Sequence, residues 1–374
     1  METEIITIPF LKPNVVKKES YLHYLSKIDE NKIYTNYGPL NSQFEKRILE
    51  EYFKGKGNVT TVNNATMGLI LSIAELKRPQ AKYAIMPSFT FSATPLAAMW
   101  CGLEPYFIDV DKETWLMDEE KLVEALNLLG NEVAIVVPYA TFGSYLRLSF
   151  YNQLQETGIP VVIDAAPCFG TTYGDIHIGE NFQGSIVFSF HATKSFGIGE
   201  GGLVYSQDSE LIQRIKTASN FGYYGTRESI SLGINSKLSE YHAAIGLATL
   251  DVYQVKIQKR QKIYEFYLEE INNYRLLEKG WEIQKTVGSI PYQFFAILCP
   301  KGKKNRKYVE KLEKSSIMAV SYYNPSCHQQ HQFQNYLHSE LTVTNELTDR
   351  ILCLPFWEDM NNSIVKRVIK ALIS

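Results

Sequence analysis

With 374 residues, 45% of them hydrophobic and 21% charged, the chain has the composition of a globular protein large enough for an extensive core and two domains. A formal net charge of −2 argues against a nucleic-acid partner or an anionic membrane surface, both of which call for clustered basic residues. Five cysteines (Cys101, Cys168, Cys299, Cys327, Cys353) without paired spacing argue against a disulfide framework or a zinc site and point to a reducing, cytoplasmic setting. Met1 to Pro13 lacks a basic stretch followed by an apolar core, and no apolar run reaches membrane-spanning length.

In chain order, a lead-in with turn punctuation at Pro9, Pro13 and Asn36-Tyr37-Gly38-Pro39 surrounds a short helix, Lys18 to Ile28, and is expected to drape over another element or subunit. Ser42, with Glu45 after it, reads as a capping box that starts a helix with Phe44, Ile48, Leu49 and Phe53 as its stripe. Short β-rich runs then alternate with helical patterns. Strands are expected at Thr60–Val62, Tyr83–Met86, Tyr106–Asp109, Val133–Pro138 and Val161–Asp164, and helices at 63–76, Ser92–Cys101, Asp118–Leu129 and Leu148–Thr157. This alternation predicts an α/β fold, a mostly parallel sheet covered on both faces. Asp208 caps a further helix ending near Gly222, and a long helix runs from Ser239 to about Tyr274, with Ala244, Leu247, Leu250 and Val255 as its early stripe. It leads into a smaller α+β domain with strands at Phe294–Leu298 and near Ala319–Tyr322 and helices from Lys304 and Asn362. The expected division is 1–245 for the large domain and 246–374 for the small one. The basic patch from Lys301 to Lys307 reads as a solvated helix start.

Chemistry concentrates in residues 185–205. The apolar run Ile186–Phe190 stops at His191, Thr193 and Lys194, and Gly197, Gly199, Gly201 and Gly202 lead into a second run, Leu203–Tyr205. A lysine in so crowded a turn is either a Schiff-base nucleophile, reactive when desolvated, or a solvated strand-end residue. Gly197, Gly199 and Gly202 fit the letters of a dinucleotide fingerprint, yet they precede a strand rather than open a helix, so conformational freedom beside the lysine is the better account. His191 reads as a core residue, a hydrogen-bond partner or a substrate contact. Asp164 ends an apolar run where ligands gather in an open α/β sheet; it is either a partner for a cationic ring nitrogen or a loop acid. Asn63-Asn64-Ala65-Thr66-Met67 enters a helix directly after a strand, as a phosphate site or as an ordinary cap. Phe91 either stacks on a flat ligand or fills a core.

Taken together, the strand ending at Asp164, the Ser-Phe-His-Ala-Thr-Lys ending thirty positions later at Lys194, and the trailing Gly-Glu-Gly-Gly resemble the DegT/DnrJ/EryC1/StrS family of sugar aminotransferases. Supporting matches are Tyr34 to Pro39, Pro87 to Thr94, Phe107 to Asp111 and Gly233 to Ala244, so the resemblance covers roughly residues 8–360. It implies a type I, aspartate-aminotransferase-like fold and a pyridoxal 5′-phosphate cofactor that cycles through pyridoxamine phosphate. By resemblance, Lys194 forms the internal aldimine and moves the proton, and Asp164 holds the pyridinium nitrogen positive. Ala65, Thr66, Met67 and Ser189 bind the phosphate, Phe91 stacks on the ring, and Asn235 reaches the phosphate of the neighbouring subunit in a homodimer. The chain departs from the family at Pro167, where Gln or His commonly stands near the cofactor's phenolic oxygen, and at Ala65, which replaces a glycine.

The implied reaction moves an amino group from L-glutamate to a nucleotide-linked keto-sugar. His191 resembles the histidine of members acting at C4, whereas those acting at C3 often carry tyrosine there. The Ser239–Gly246 segment is similar to enzymes that form dTDP-4-amino-4,6-dideoxyglucose for surface polysaccharides such as O-antigen. A 3-keto substrate, a UDP- or GDP-linked sugar, or a non-catalytic pyridoxal-phosphate-binding regulator are the alternatives.

Overall fold

Apolar runs of four or five residues are too hydrophobic for a surface, and in the computed structural model, which describes residues 7–374, they become strands of one sheet. The strands are β1 (Asn58–Val62), β2 (Tyr83–Pro87), β3 (Glu104–Ile108), β4 (Val133–Val136) and β5 (Val162–Asp164), then a small hairpin, β6 (Thr172–Tyr173) and β7 (Ile176–His177), then β8 (Ser185–Ser189) and β9 (Gly202–Ser206). Strand β2 lies between β3 and β4, and the second group runs β1-β9-β8-β5. Parallel bridges from Val136 to Val161 and from Tyr139 to Asp164 join the two groups, giving β3-β2-β4-β5-β8-β9-β1. Only β9 runs against its neighbours, so the mostly parallel sheet expected from the alternation is present.

Successive strand residues point to opposite faces, and both faces are buried. On one, Ile85, Ile163 and Ile186 meet helices α1 (Leu22–Asn31), α2 (Pro39–Phe53), α5 (Glu119–Leu129), α6 (Leu148–Glu156) and the start of α8 (Glu240–Asn273). On the other, Met86, Val162 and Val187 meet α3 (Ala65–Leu76), α4 (Ala93–Trp100) and α7 (Ser209–Ala218). Side-chain caps occur at Asp118 and Asp208, as expected, and Ser239 caps α8.

The capping box at Ser42 is absent. Helix α2 begins four residues earlier, with Gly38 as N-cap and Pro39 in its first turn, because proline's fixed φ and missing N–H suit that position. Glu45 instead turns inward and accepts from the Thr61 backbone and hydroxyl at 2.8 and 3.0 Å. The lead-in does drape: Ile8 pairs beside Ile317, and α1 packs on α8. Residues 1–6, part of the stretch read as lacking a leader, lie outside the described residues.

Helix α8 crosses from one core to another. Ala244, Leu247 and Leu250 belong to the large-sheet core, while Ile263, Tyr267 and Ile271 pack on a second, antiparallel sheet of β10 (Glu282–Ile283), β11 (Phe295–Leu298) and β12 (Ile351–Leu354). Val255, assigned to the early stripe, is 55% exposed, having rotated off the buried face between the two cores. The strand expected near Ala319–Tyr322 reduces to one bridge, Val320 to Cys353, on the edge of β12 away from β11. Tyr322 and Tyr323 leave the sheet edge to join an aromatic cluster with Phe10, Phe89, Phe142 and Phe294. Helices α9 (Asn305–Lys314), α10 (Thr342–Arg350) and α11 (Asn362–Ile373) complete this part. The basic patch is solvated at the start of α9, where Lys301 and Lys304 pair with Glu346 and Asp349 at the surface.

Candidate active site

The carboxyl ends of β5 and β8 open onto one cleft. Asp164, the last residue of β5, is 3% exposed. Its Oδ2 accepts from the Thr94 hydroxyl at 2.7 Å and its Oδ1 from the Ala166 N–H at 3.1 Å. Burial raises its pKa against those hydrogen bonds and the opposing charge of Lys194. A buried carboxylate held this way favours a nearby cation.

Lys194 stands in the turn that follows β8. Its backbone N–H donates to His191 O at 2.9 Å, and Ala192 N–H donates to Gly199 O at 2.8 Å, which closes the turn. The Ser195 hydroxyl bonds Tyr253 of α8 at 2.8 Å, and Phe196 is buried, so the loop is fastened on both sides of the lysine. The ammonium lies 3.5 Å from Gln293 Oε1. Removal from water lowers the lysine pKa, while Asp164 and Cys168 resist that shift. Glycine serves two purposes here. Gly199 has a left-handed φ of +104°, whereas Gly202 matters for space, since a Cβ there would sit 2.8 Å from Ala65 N.

That close approach leaves the N-terminus of α3 bare. Asn64 Oδ1 accepts from Met67 N–H at 2.9 Å, so among the described residues Ala65 and Thr66 keep the free backbone donors. Met67, named with them from sequence, has its N–H occupied by this cap. Asn63 Oδ1, Thr60 Oγ1 and Ser236 Oγ are buried without partners around the same turn. The Asn63 N–H donates to Ser236 O at 2.7 Å, tying the neighbouring Asn235 segment to it. Asn235 itself is exposed and accepts from Lys237 Nζ at 2.8 Å. Ser189 is buried, and its hydroxyl accepts from His191 N–H at 3.3 Å.

Phe91 is 57% exposed, with its centroid 6.4 Å from that of Tyr323. His191 is half-buried; its Nδ1 meets Thr193 Oγ1 at 2.8 Å, and its Nε2 lies 3.6 Å from Glu200. Sequence reasoning missed Thr94, which holds Asp164, together with Gln293 and the buried Tyr139–Tyr323 hydroxyl pair at 2.8 Å. Thr94 lies in the Pro87–Thr94 segment and was within reach of inspection. Gln293, one glutamine before an apolar run, carried no local signal.

The pattern of the DegT/DnrJ/EryC1/StrS aminotransferase family matches residues 16–373. The chain belongs to this family. It is 50% identical to a Bacillus cereus ATCC 10987 protein assigned as a PLP-dependent aminotransferase, with a TM-score of 0.97 over 99% of this chain and 100% of that one. It is 28% identical to the dTDP-4-amino-4,6-dideoxy-D-glucose transaminase of Escherichia coli, over 98% of each chain. It is also similar to DesI, solved in the presence of its TDP-sugar product, at 28% identity and a TM-score of 0.88 over 98% of this chain and 93% of that one. The fold is therefore the type I fold of PLP-dependent enzymes, the cofactor is pyridoxal phosphate, and the chain is a sugar aminotransferase.

Proposed function

We propose that the protein moves an amino group from L-glutamate to C4 of a nucleotide-linked 4-keto-6-deoxy sugar, first of all dTDP-4-keto-6-deoxyglucose. In this reading it works as a cytoplasmic homodimer in surface-polysaccharide synthesis of the O-antigen type. The observation that carries it is the meeting of a buried acid, Asp164, with a desolvated lysine, Lys194, beside a helix N-terminus that has bare donors.

These residues fit the cofactor. The free N–H groups of Ala65 and Thr66, with the hydroxyls of Thr66 and Ser189, suit a phosphate. Asp164, buried without a full counter-charge, suits a protonated ring nitrogen. The exposed face of Phe91 suits a flat ring. When bound, pyridoxal phosphate supplies a carbonyl that captures amines and a ring that accepts electrons. Lys194 Nζ then takes the proton from the donor's Cα and later gives one back to the sugar carbon. Its lowered pKa raises the share of neutral amine near pH 7, which such a base needs. Thr94 and the Ala166 N–H keep the Asp164 carboxylate aimed.

His191, partly open to solvent near the lysine turn, supports action at C4, as does the likeness to the E. coli transaminase and DesI. The dimer is supported by Leu232, 92% exposed, with Phe221, Ile230 and Ile234 exposed near it, a surface that gains by being covered. Asn235 lies on that same segment. Incubating the enzyme with glutamate and a panel of dTDP-, UDP- and GDP-linked 4-keto and 3-keto sugars tests the assignment. The expected outcome is 2-oxoglutarate release with a 4-keto dTDP sugar and NMR signals of an amine at C4. Amination at C3 supports the second reading and removes the first.

A further inference from the structure

Gln293 is 2% exposed, comes from the loop before β11, and lies 3.5 Å from the Lys194 nitrogen. An ammonium only donates, so the amide oxygen must be the atom that faces it, which turns the amide NH2 away. Among the described residues that NH2 has no hydrogen-bond partner within the chain. That NH2 is not among the buried side-chain atoms left without a partner, so it keeps contact with open space where a ligand can accept from it.

The loop is held firmly in place. Ser289 and Thr172 exchange backbone hydrogen bonds at 2.8 and 2.9 Å, Tyr145 N–H donates to Val287 O at 2.9 Å, and Arg260 reaches Tyr292 O at 3.4 Å. It also lies against Pro167. A Cβ built on Gly143 would stand 3.3 Å from Pro291 Cδ and 3.4 Å from the Pro167 carbonyl, so both prolines border one small space. Pro167 has no N–H to offer there.

The covalent structure of pyridoxal supplies the rest. Its aldehyde carbon, the one Lys194 attacks, is attached to the ring carbon next to the one that bears the phenolic oxygen. A group bonded to the attacking nitrogen on one side is therefore within reach of that oxygen on the other. We propose that Gln293 is the hydrogen-bond donor to the cofactor's phenolic oxygen, filling the place that Pro167 leaves open. This rests on the cofactor reading above and adds a residue from beyond the large sheet. One amide thus holds the free lysine before the cofactor binds and the ring oxygen afterwards.

The lysine-bound cofactor has a visible band whose pH midpoint reports the balance between a protonated nitrogen and an uncompensated phenolate. A donor to the oxygen stabilises the uncompensated form, so it lowers the midpoint. Spectrophotometric titration of the cofactor-loaded protein is expected to show Gln293→Leu raised by about one pH unit over wild type. Gln293→Met keeps the length without the donor or any charge, so it too should be raised, and it carries the test alone if the leucine variant does not fold. A midpoint unmoved in both variants, or lowered in Gln293→Leu, overturns the assignment. A wild-type protein without a visible band in excess pyridoxal phosphate overturns the cofactor reading instead.

Discussion

Two places in this molecule bury charge beside helix α8, and they differ in what surrounds the charge. Lys256 and Arg260, on the face of α8 that also carries Tyr253, are buried with Glu358. There Lys256 donates to Asn14 O at 2.6 Å and lies 3.8 Å from Glu358, while Arg260 Nε lies 3.2 Å from the same carboxylate. The Asn14 side chain also donates to Glu358. Two cations there share one carboxylate inside the chain, and burial still lowers the pKa of both Lys256 and Arg260. In the cleft, among the described residues, no salt bridge joins Asp164 to Lys194; burial raises the acid and lowers the lysine. A carboxylate shared by two buried cations serves packing, whereas an acid and a lysine without a salt bridge between them leave capacity for a ligand.

That contrast can be broken experimentally. The largest effect is expected for Lys194→Ala, which should reduce amino transfer by about 10³-fold or more, in line with loss of a general acid–base group, and abolish the visible band of the bound cofactor. Steady-state assays with glutamate check it, and retention of activity would mean that another amine does the chemistry. Next, Glu358→Gln leaves Lys256 and Arg260 without their carboxylate and should cost about 3 kcal/mol of stability, read as a lowered denaturation midpoint. Its kcat at temperatures where it is folded should stay near wild type. Loss of kcat without loss of stability would place Glu358 in the catalytic machinery.

A smaller effect concerns pH. Because the folded-state pKa of Lys194 lies below its unfolded value, the unfolded chain binds more protons between the two values. The cost of burying the lysine is full below the folded pKa and fades as pH rises toward the ordinary lysine range near ~10.4. Cofactor-free Lys194→Met should therefore be more stable than wild type at neutral pH, with the gap closing toward pH ~10. Thermal scans across that range check it; a gap that widens with pH reverses the sign and contradicts the cleft's role as the site of unmatched charge. The smallest change is expected for Phe91→Ala. The ring is already exposed, so stability should hold, while cofactor affinity falls by roughly 2–10-fold through lost stacking. Equilibrium titration with pyridoxal phosphate distinguishes this from a core-filling role, which would lower stability.

Much of the cleft was readable from local pattern. Asp164 ends an apolar run, Lys194 follows another, and Asn64 opens a helix after a strand; each lies where a strand stops, and strand ends are marked by abrupt loss of hydrophobicity. The helix caps at Asp118 and Asp208 were equally plain, since capping is decided within four residues. Ser42 failed because two local signals competed, and proline in the first turn won over a serine-glutamate pair. The second sheet was read less well. The continuous apolar run Ile351–Leu354 was passed over in favour of the weaker Ala319–Tyr322, which in the structure only bridges to the edge of β12.

The sequence by itself determined the alternating α/β layers, the acid and the lysine, and the family, because each depends on residue type at short spacing. The tertiary structure alone decided which groups share the cleft. Gln293 stands 99 positions from Lys194 along the chain yet 3.5 Å away in space. Glu358 is brought against Lys256 and Arg260 in the same manner. Contacts across such separations are set by how α8 spans two cores and by which strand closes the second sheet, and no periodicity along the chain records them.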